Sequence, residues 1–271
     1  MDFGGVTFED LAVVAILVAI VAFFYSNLGL GGGQLYVPIM DFFFLSLAMV
    51  EIVPLSLCFA AATMISSAFM HSRKGLVDVR LGVILAAAGL IGVAGGVAFT
   101  SSAPEDFVKA AFAALLVIVA TKMMHDVYIG KKEGPLSTTA FSRRQVLAGM
   151  GVSILTGVLI GSFGIGGGVV SVPLIVYVFK IDSRKAIGTS SLIGAILTPA
   201  AFAAYVVSQS AGAAAEIHYG LALVLTPIVL VMALLGSRWG LAKLKTRVVK
   251  AIFTCGVYLA AVEMVYSLMF T

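Results

Sequence analysis

Along most of this chain polar positions are absent rather than periodic. Apolar runs of about 20 residues with few or no charges cover residues 8–25, 55–70, 81–100, 107–122, 145–163, 186–207, 219–235 and 248–270. Each is long enough to cross about 30 Å of hydrocarbon as an α-helix. Two shorter runs, 38–50 and 173–180, follow interruptions that nearly repeat each other: NLGLGGGQLYVP, from Asn27 to Pro38, and SFGIGGGVVSVP, from Ser162 to Pro173. Both place four glycines in five residues and then Val-Pro at one fixed distance. The pattern predicts an all-α polytopic membrane protein whose helices are broken twice, in the same way.

The two interruptions are offset by 135 residues, half of the 271-residue chain, so they mark a duplication rather than chance glycine richness. Downstream, EIVPLSL at residues 51–57 falls against KAIGTSS at 185–191 after a one-residue slip. Each half then holds five apolar segments, the second of them a short helix after a Gly-rich break. The expected organisation is a first transmembrane repeat at residues 1–129, a linker at 130–144 and a second repeat at 145–271, together one membrane domain. The linker, GKKEGPLSTTAFSRR, is polar and basic and carries Gly-Pro.

Composition agrees, with 61% apolar and only 11% charged residues and a mean hydropathy of +1.12, outside the range of soluble domains. The net charge of +4 does not point to nucleic acid, because its distribution is topological. Residues 73–80, 122–144, 180–185 and 238–250 hold 16 of the 17 Lys and Arg, and only Lys109 lies elsewhere. The alternate connections carry acids instead: Asp2, Glu9 and Asp10, then Asp41 and Glu51, Glu105 and Asp106, and Glu216. By the positive-inside rule the basic segments face the cytoplasm and both termini face out. The first half thus begins outside and the second inside, the inverted repeat found in many secondary transporters. No Lys or Arg precedes Arg73, so the first helix lacks the basic flank of a cleaved signal and is expected to be retained. Trp239 beside Arg238 reads as an interfacial anchor, the three histidines as interfacial, and Cys58 and Cys255 as small core residues.

Proline lacks an N–H and disfavours the α conformation at the residue before it, so a helix is expected to begin at Pro38 and at Pro173. The glycines before them open backbone angles closed to other residues. Unpaired N–H groups at membrane depth cost several kcal/mol each and persist only where protein or a polar cavity meets them. A helix N-terminus also carries about half a positive charge, which makes an anion site without a basic side chain. Two such termini related by inversion can converge on one anion near the midplane. The candidate substrate-binding residues are therefore Asn27, Gly31, Gly32, Gly33, Gln34 and Ser56 in the first half, with Ser162, Gly166, Gly167, Gly168, Thr189, Ser190 and Ser191 in the second. Hydroxyl and amide donors suit the oxygens of a small oxyanion. Glu263, the one acid in the interior of an apolar run, is the candidate for proton coupling, with protons as a candidate coupling ion. The competing reading of the glycines is close helix packing.

At Gly29-Leu30-Gly31-Gly32-Gly33 with Val37-Pro38, Gly164-Ile165-Gly166-Gly167-Gly168 with Val172-Pro173, and Ala186-Ile187-Gly188-Thr189-Ser190, the chain resembles the sulfite exporter TauE/SafE family, over its whole length and including KGLVD at residues 74–78. The resemblance implies transport of sulfite, a sulfonate or a related organosulfur anion across the bacterial inner membrane, commonly outward, without a cofactor. One departure is that Pro54-Leu55-Ser56 stands in the first half where the second has Gly188-Thr189-Ser190, so a symmetric ligand shell is not expected. A passive anion channel is the nearest rival. An intramembrane enzyme would need a nucleophile and base or a metal set, and neither an H-E-x-x-H nor a G-x-S-x-G pattern is present. A membrane scaffold would have no use for two polar breaks.

The topology makes a direct test. Single cysteines placed in residues 130–144 are expected to react with a membrane-impermeant thiol reagent only after the cells are opened. Labelling from outside intact cells would overturn both the orientation and the inversion.

Overall fold

The computed structural model describes residues 8–44, 47–128, 141–210, 217–243 and 246–270. Most of the linker, Asp2 and Glu216 lie outside the described residues. The described elements are all helical: α1 (Phe8–Leu28), α2 (Gly33–Phe43), α3 (Met49–Ser72), α4 (Val79–Ser102), α5 (Glu105–Tyr128), α6 (Arg143–Phe163), α7 (Gly168–Val178), α8 (Ser183–Ser210), α9 (Tyr219–Lys243) and α10 (Thr246–Phe270). Seven of them, α1, α3, α4, α5, α6, α8 and α9, are long and apolar enough to cross a membrane. Large apolar side chains turned out of the bundle, such as Ile16, Ile91, Ile118, Leu223 and Leu259, give it a surface matched to lipid.

The 135-residue offset carries through to the elements. Adding it to the bounds of α1 and α2 gives those of α6 and α7. The packing has the same regularity: α1 lies on α9 as α6 lies on α4, α3 meets α9 as α8 meets α4, and α3·α8 and α5·α10 are pairs of equivalents. Exchanging the first five helices with the last five therefore leaves the main packing partners unchanged.

Prolines within these helices correct an expectation. The short helices begin at Gly33 and Gly168, five residues before Pro38 and Pro173, and both prolines sit inside them. Likewise α3 begins at Met49 and runs through Pro54, where a start at Leu55 was expected. The glycine ahead of each short helix, not the proline, sets its start: Gly32 (φ 92°) and Gly167 (φ 77°) are left-handed N-caps. Neighbouring helices can re-satisfy the carbonyl that a proline leaves free, so intramembrane helices tolerate prolines.

Close packing relies on small residues. Along α4 and α6 chain numbers rise together: a Cβ on Gly92 would overlap Ile154 O, one on Gly157 would overlap Gly89 O, and Ser153 Oγ donates to Leu85 O at 2.6 Å. Between α3 and α8 numbers run in opposite senses. Met64 packs on Gly194, Ser67 meets Ser191 and His71 packs on Gly188, so this pair is antiparallel.

Several charged residues gather at one end of the bundle. Lys109 Nζ lies 3.3 Å from Asp41 Oδ1 and 3.3 Å from Glu105 Oε1, and His218 Nε2 lies 3.7 Å from Glu51. The one basic residue outside the basic segments is thus the counter-ion of the acidic end. Trp239 is 69% exposed, as an anchor requires. Two readings change: Cys255 faces outward, and His71 is 1% exposed rather than interfacial, because Gly188 lets α8 close over it.

Gly157→Ala should lower stability by about 1–3 kcal/mol through backbone overlap. Gly151, on the same helix, has open space where its Cβ would go, so Gly151→Ala should be neutral or stabilising by about 0.5–1 kcal/mol. Thermal unfolding in detergent reads both, and equal effects would refute the packing account.

Candidate functional site

The two breaks touch. Gly31 lies directly on Gly166, backbone to backbone, Gly33 on the carbonyl of Gly164, and Gly168 on the carbonyl of Gly29. Every residue from Leu28 to Pro38, and from Ile160 to Val169, is buried. The ends of α1 and α6 and the starts of α2 and α7 therefore meet at one place inside the bundle. No side chain larger than glycine fits at Gly31, Gly33, Gly166 or Gly168 without moving backbone.

Each short helix opens with free donors. Leu35 N and Tyr36 N donate to Gly32 O at 2.9 and 3.0 Å, and Val170 N and Ser171 N donate to Gly167 O at 3.2 and 3.0 Å. The N–H groups of Gly33, Gln34, Gly168 and Val169 precede these and have no acceptor within their own helix. No side chain caps either terminus.

Two of the break carbonyls, those of Gly29 and Gly164, have partners that come from the other half. Ser56 Oγ on α3 donates to Gly164 O (3.3 Å) and Ser190 Oγ on α8 to Gly29 O (3.5 Å). Ser56 and Ser190 are the positions where the GTS pattern and its first-half counterpart agree, so the departure at residues 54–55 spares this contact. Further carbonyls at the ends of α1 and α6 are also met: Ser26 O by Ser67 Oγ (2.6 Å), Gly161 O by Tyr205 Oη (2.8 Å) and Ser162 O by Thr100 Oγ1 (2.7 Å).

The polar residues singled out in the sequence divide between the crossing and its surroundings. At the crossing are the six candidate glycines with Ser56, Ser190 and Ser191; Ser191 Oγ lies 2.9 Å from where a Cβ on Gly29 would be. Gln34 is fully buried at the start of α2, neither of its amide atoms in hydrogen-bonding geometry with the protein. The Tyr25 hydroxyl is beside it. Asn27 Nδ2 donates back to Phe23 O at 3.1 Å, which leaves Oδ1 buried without a partner. Two candidates are engaged elsewhere: Thr189 Oγ1 accepts from Asp78 N at 2.9 Å, and Ser162 Oγ donates to Gly96 O of α4 at 3.3 Å.

Glu263 is not at the crossing. It lines a mostly apolar groove of about 400 Å³ between α1, α2 and α10, together with Leu17, Leu35, Pro38, Phe42 and Leu259. Its Oε2 is buried with no hydrogen-bond partner, and Asp41 and Lys109 act on it electrostatically.

Sequence reasoning passed over Tyr25, Thr63 and Ser67, and took His71 for interfacial. Thr63 Oγ1 lies 2.9 Å from Tyr36 Oη. Ser67, four residues before His71 on one face of α3 and in contact with it, lies close to both Ser26 and Ser191. The i, i+4 spacing was visible, but nothing in it told a buried face from an interfacial one.

Among the described residues no group of three or more His, Cys, Asp and Glu side chains could hold a metal ion. What the arrangement offers chemically is a pair of helix N-termini whose leading N–H groups have no acceptor in their own helices, walled by hydroxyls and the carboxamides of Asn27 and Gln34, inside a bundle with an apolar outer surface. That defines a polytopic helical membrane protein with two broken helices in contact. Residues 14–264 match the family model described as sulfite exporter TauE/SafE, and the chain belongs to that family of membrane transporters. It is also similar to a probable membrane transporter protein, YdhB, of Bacillus subtilis (strain 168), with 25% identity over 187 residues, 67% of this chain and 73% of that protein. No solved structure matches the chain.

Proposed function

We propose that this chain is a secondary transporter that carries a small sulfur-containing oxyanion, sulfite, a sulfonate or a related organosulfur anion, outward across the bacterial inner membrane. The observation that carries the reading is the contact between the two breaks, which brings the N-termini of α2 and α7 to one buried place. Family membership and the printed description of the Bacillus relative support transport.

In this reading the anion binds near the midplane, accepting from the leading N–H groups of α2 and α7. Asn27, Gln34, Ser191 and the glycines of both breaks line the site, and Ser56 and Ser190 hold the break carbonyls in place. Residues 1–129 and 145–271 act as inverted repeats joined by a cytoplasmic linker at 130–144, with both termini periplasmic. The inversion is supported by α3 and α8: equivalent helices related by an axis along the membrane normal would run parallel, whereas these are antiparallel. Alternating access is a rocking of one half on the other, parting the glycine-on-glycine contact to admit the anion. A site without Lys or Arg suits turnover, because backbone dipoles release an anion more readily than a buried guanidinium. Glu263 exchanges the coupling proton, a role supported by its unpartnered carboxyl oxygen in a mostly apolar groove.

A thermal-shift screen against sulfite, sulfate, thiosulfate, sulfoacetate, taurine and carboxylates tests the substrate class. A sulfur oxyanion is expected to stabilise the wild type, and Gly32→Val and Gly167→Val are expected to abolish that shift while the protein still inserts and folds. Gly167 is the milder probe, since its Cβ would meet Ile160 Cδ1 at 2.7 Å, the tip of a flexible side chain. Ser56→Ala should cost one hydrogen bond, about 0.5–1.5 kcal/mol of stability, and keep the shift. Folded valine variants that bind as tightly as wild type would make the glycines packing features. A screen in which no sulfur oxyanion stabilises the wild type would defeat the assigned substrate class.

Glu263→Gln should retain anion binding and lose the response of transport in vesicles to an imposed proton gradient. An unchanged response would return Glu263 to a structural role.

A further inference from the structure

A second titratable group is wired to the crossing. His71 ends α3 beside the exposed turn at Arg73, Lys74 and Gly75, yet is itself buried. Its Nδ1 lies 2.8 Å from Ser67 O and 3.3 Å from Ser67 Oγ. A carbonyl only accepts, so Nδ1 carries the hydrogen and Nε2 is the basic nitrogen. Ser67 Oγ in turn lies 2.6 Å from Ser26 O in the last turn of α1 and 2.8 Å from Ser191 Oγ on α8. Ser191 Oγ also lies 2.8 Å from Ile187 O and borders Gly29. Two hydroxyl hydrogens thus serve three short contacts, and the donor can change with no heavy atom moving. The chain His71–Ser67–Ser191 runs from the basic end of the bundle to the first break, joining α1, α3 and α8.

We propose that His71 is the cytoplasmic proton site of the transport cycle. Nε2 takes up a proton, and the imidazolium, held by its Nδ1–H on Ser67, lends positive potential to a crossing that has no other cation. Proton and anion then bind with positive coupling, and each raises the affinity for the other by the same factor. The inference rests on the anion site placed at the crossing in the proposed function.

No carboxylate among the described residues acts on His71. Lys74, on its own turn, is the charged group that acts on it. Arg73 is drawn over the Phe69 ring. The acids of this end are engaged elsewhere: Asp78 Oδ1 accepts from Leu81 N and Asp182 Oδ2 from Arg184 N. From α8 it meets Gly188, and through Ser67 it is joined to Ser191 and to Ser26 O; none of these titrates, and Arg184 of the first turn of α8 is exposed.

The test is calorimetric titration of purified protein with sulfite and with methanesulfonate at about pH 5.5 and about pH 8, the window in which histidine changes charge. For the wild type, affinity should rise at the lower pH by about fivefold or more, the lower end of measured coupling. His71→Gln should bind at pH 8 as the wild type does and lose the extra tightening at low pH. Ser67→Ala, which keeps His71 but cuts its link to α1 and α8, should reduce that tightening. The titration of each ligand itself is common to wild type and variants and cancels in the comparison. The same pH response in His71→Gln as in wild type overturns the inference and leaves the anion site standing. No binding of either anion to wild type at either pH overturns the anion site as well.

Discussion

Everything inside this bundle answers to one constraint: at membrane depth a backbone N–H or C=O has no water to turn to. An unbroken helix meets the constraint by itself, and a broken one cannot. Here two breaks are laid on each other, and what each lacks the opposite half in part supplies. Serines from α3 and α8 reach across to the glycine carbonyls, while hydroxyls on α3, α4 and α8 take the carbonyls at the ends of α1 and α6. At Gly29 and Gly164 the carbonyl is met, while the leading N–H groups of α2 and α7 have no acceptor within their own helices.

Glycine serves two ends at this place. At Gly32 and Gly167 it adopts a left-handed cap, which turns the chain into a short helix whose first N–H groups are free. At Gly31 and Gly166 it removes the side chain that would hold the breaks apart. Packing and site were weighed as rival readings of the same glycines; the structure shows close packing at Gly31, Gly33, Gly166 and Gly168, and the anion site is proposed at the same crossing. A bulky residue at Gly31 would collide with backbone, whereas one at Gly167 would meet the movable tip of Ile160.

The helical membrane plan was legible in the sequence because its signals are long or repeated: apolar runs of membrane length, of which seven are candidate spans among the described residues, and a duplicated motif. The family followed from the same motif and is borne out over residues 14–264. The helix starts were misjudged at Pro38, Pro54 and Pro173, because a local rule about proline was applied where neighbouring helices repair the lost bond. His71 was misjudged for a related reason. Position near a helix end is a one-dimensional fact, and its burial depends on Gly188, more than a hundred residues away. Ser56 and Ser190 were found as polar residues near the breaks, yet their reciprocal carbonyl contacts depend on which halves face each other, and no spacing in the chain states that.

The reciprocity of those two serines has an asymmetric consequence during synthesis. Ser56 is already in the membrane when Gly164 emerges, so the second break finds its partner waiting. Gly29 must wait for Ser190, 161 residues later, roughly 8 to 30 s at ordinary rates of elongation. For that interval the first break sits in lipid or in the insertion machinery with a carbonyl unmet, and the nascent first half is an unfinished surface that only its own continuation completes.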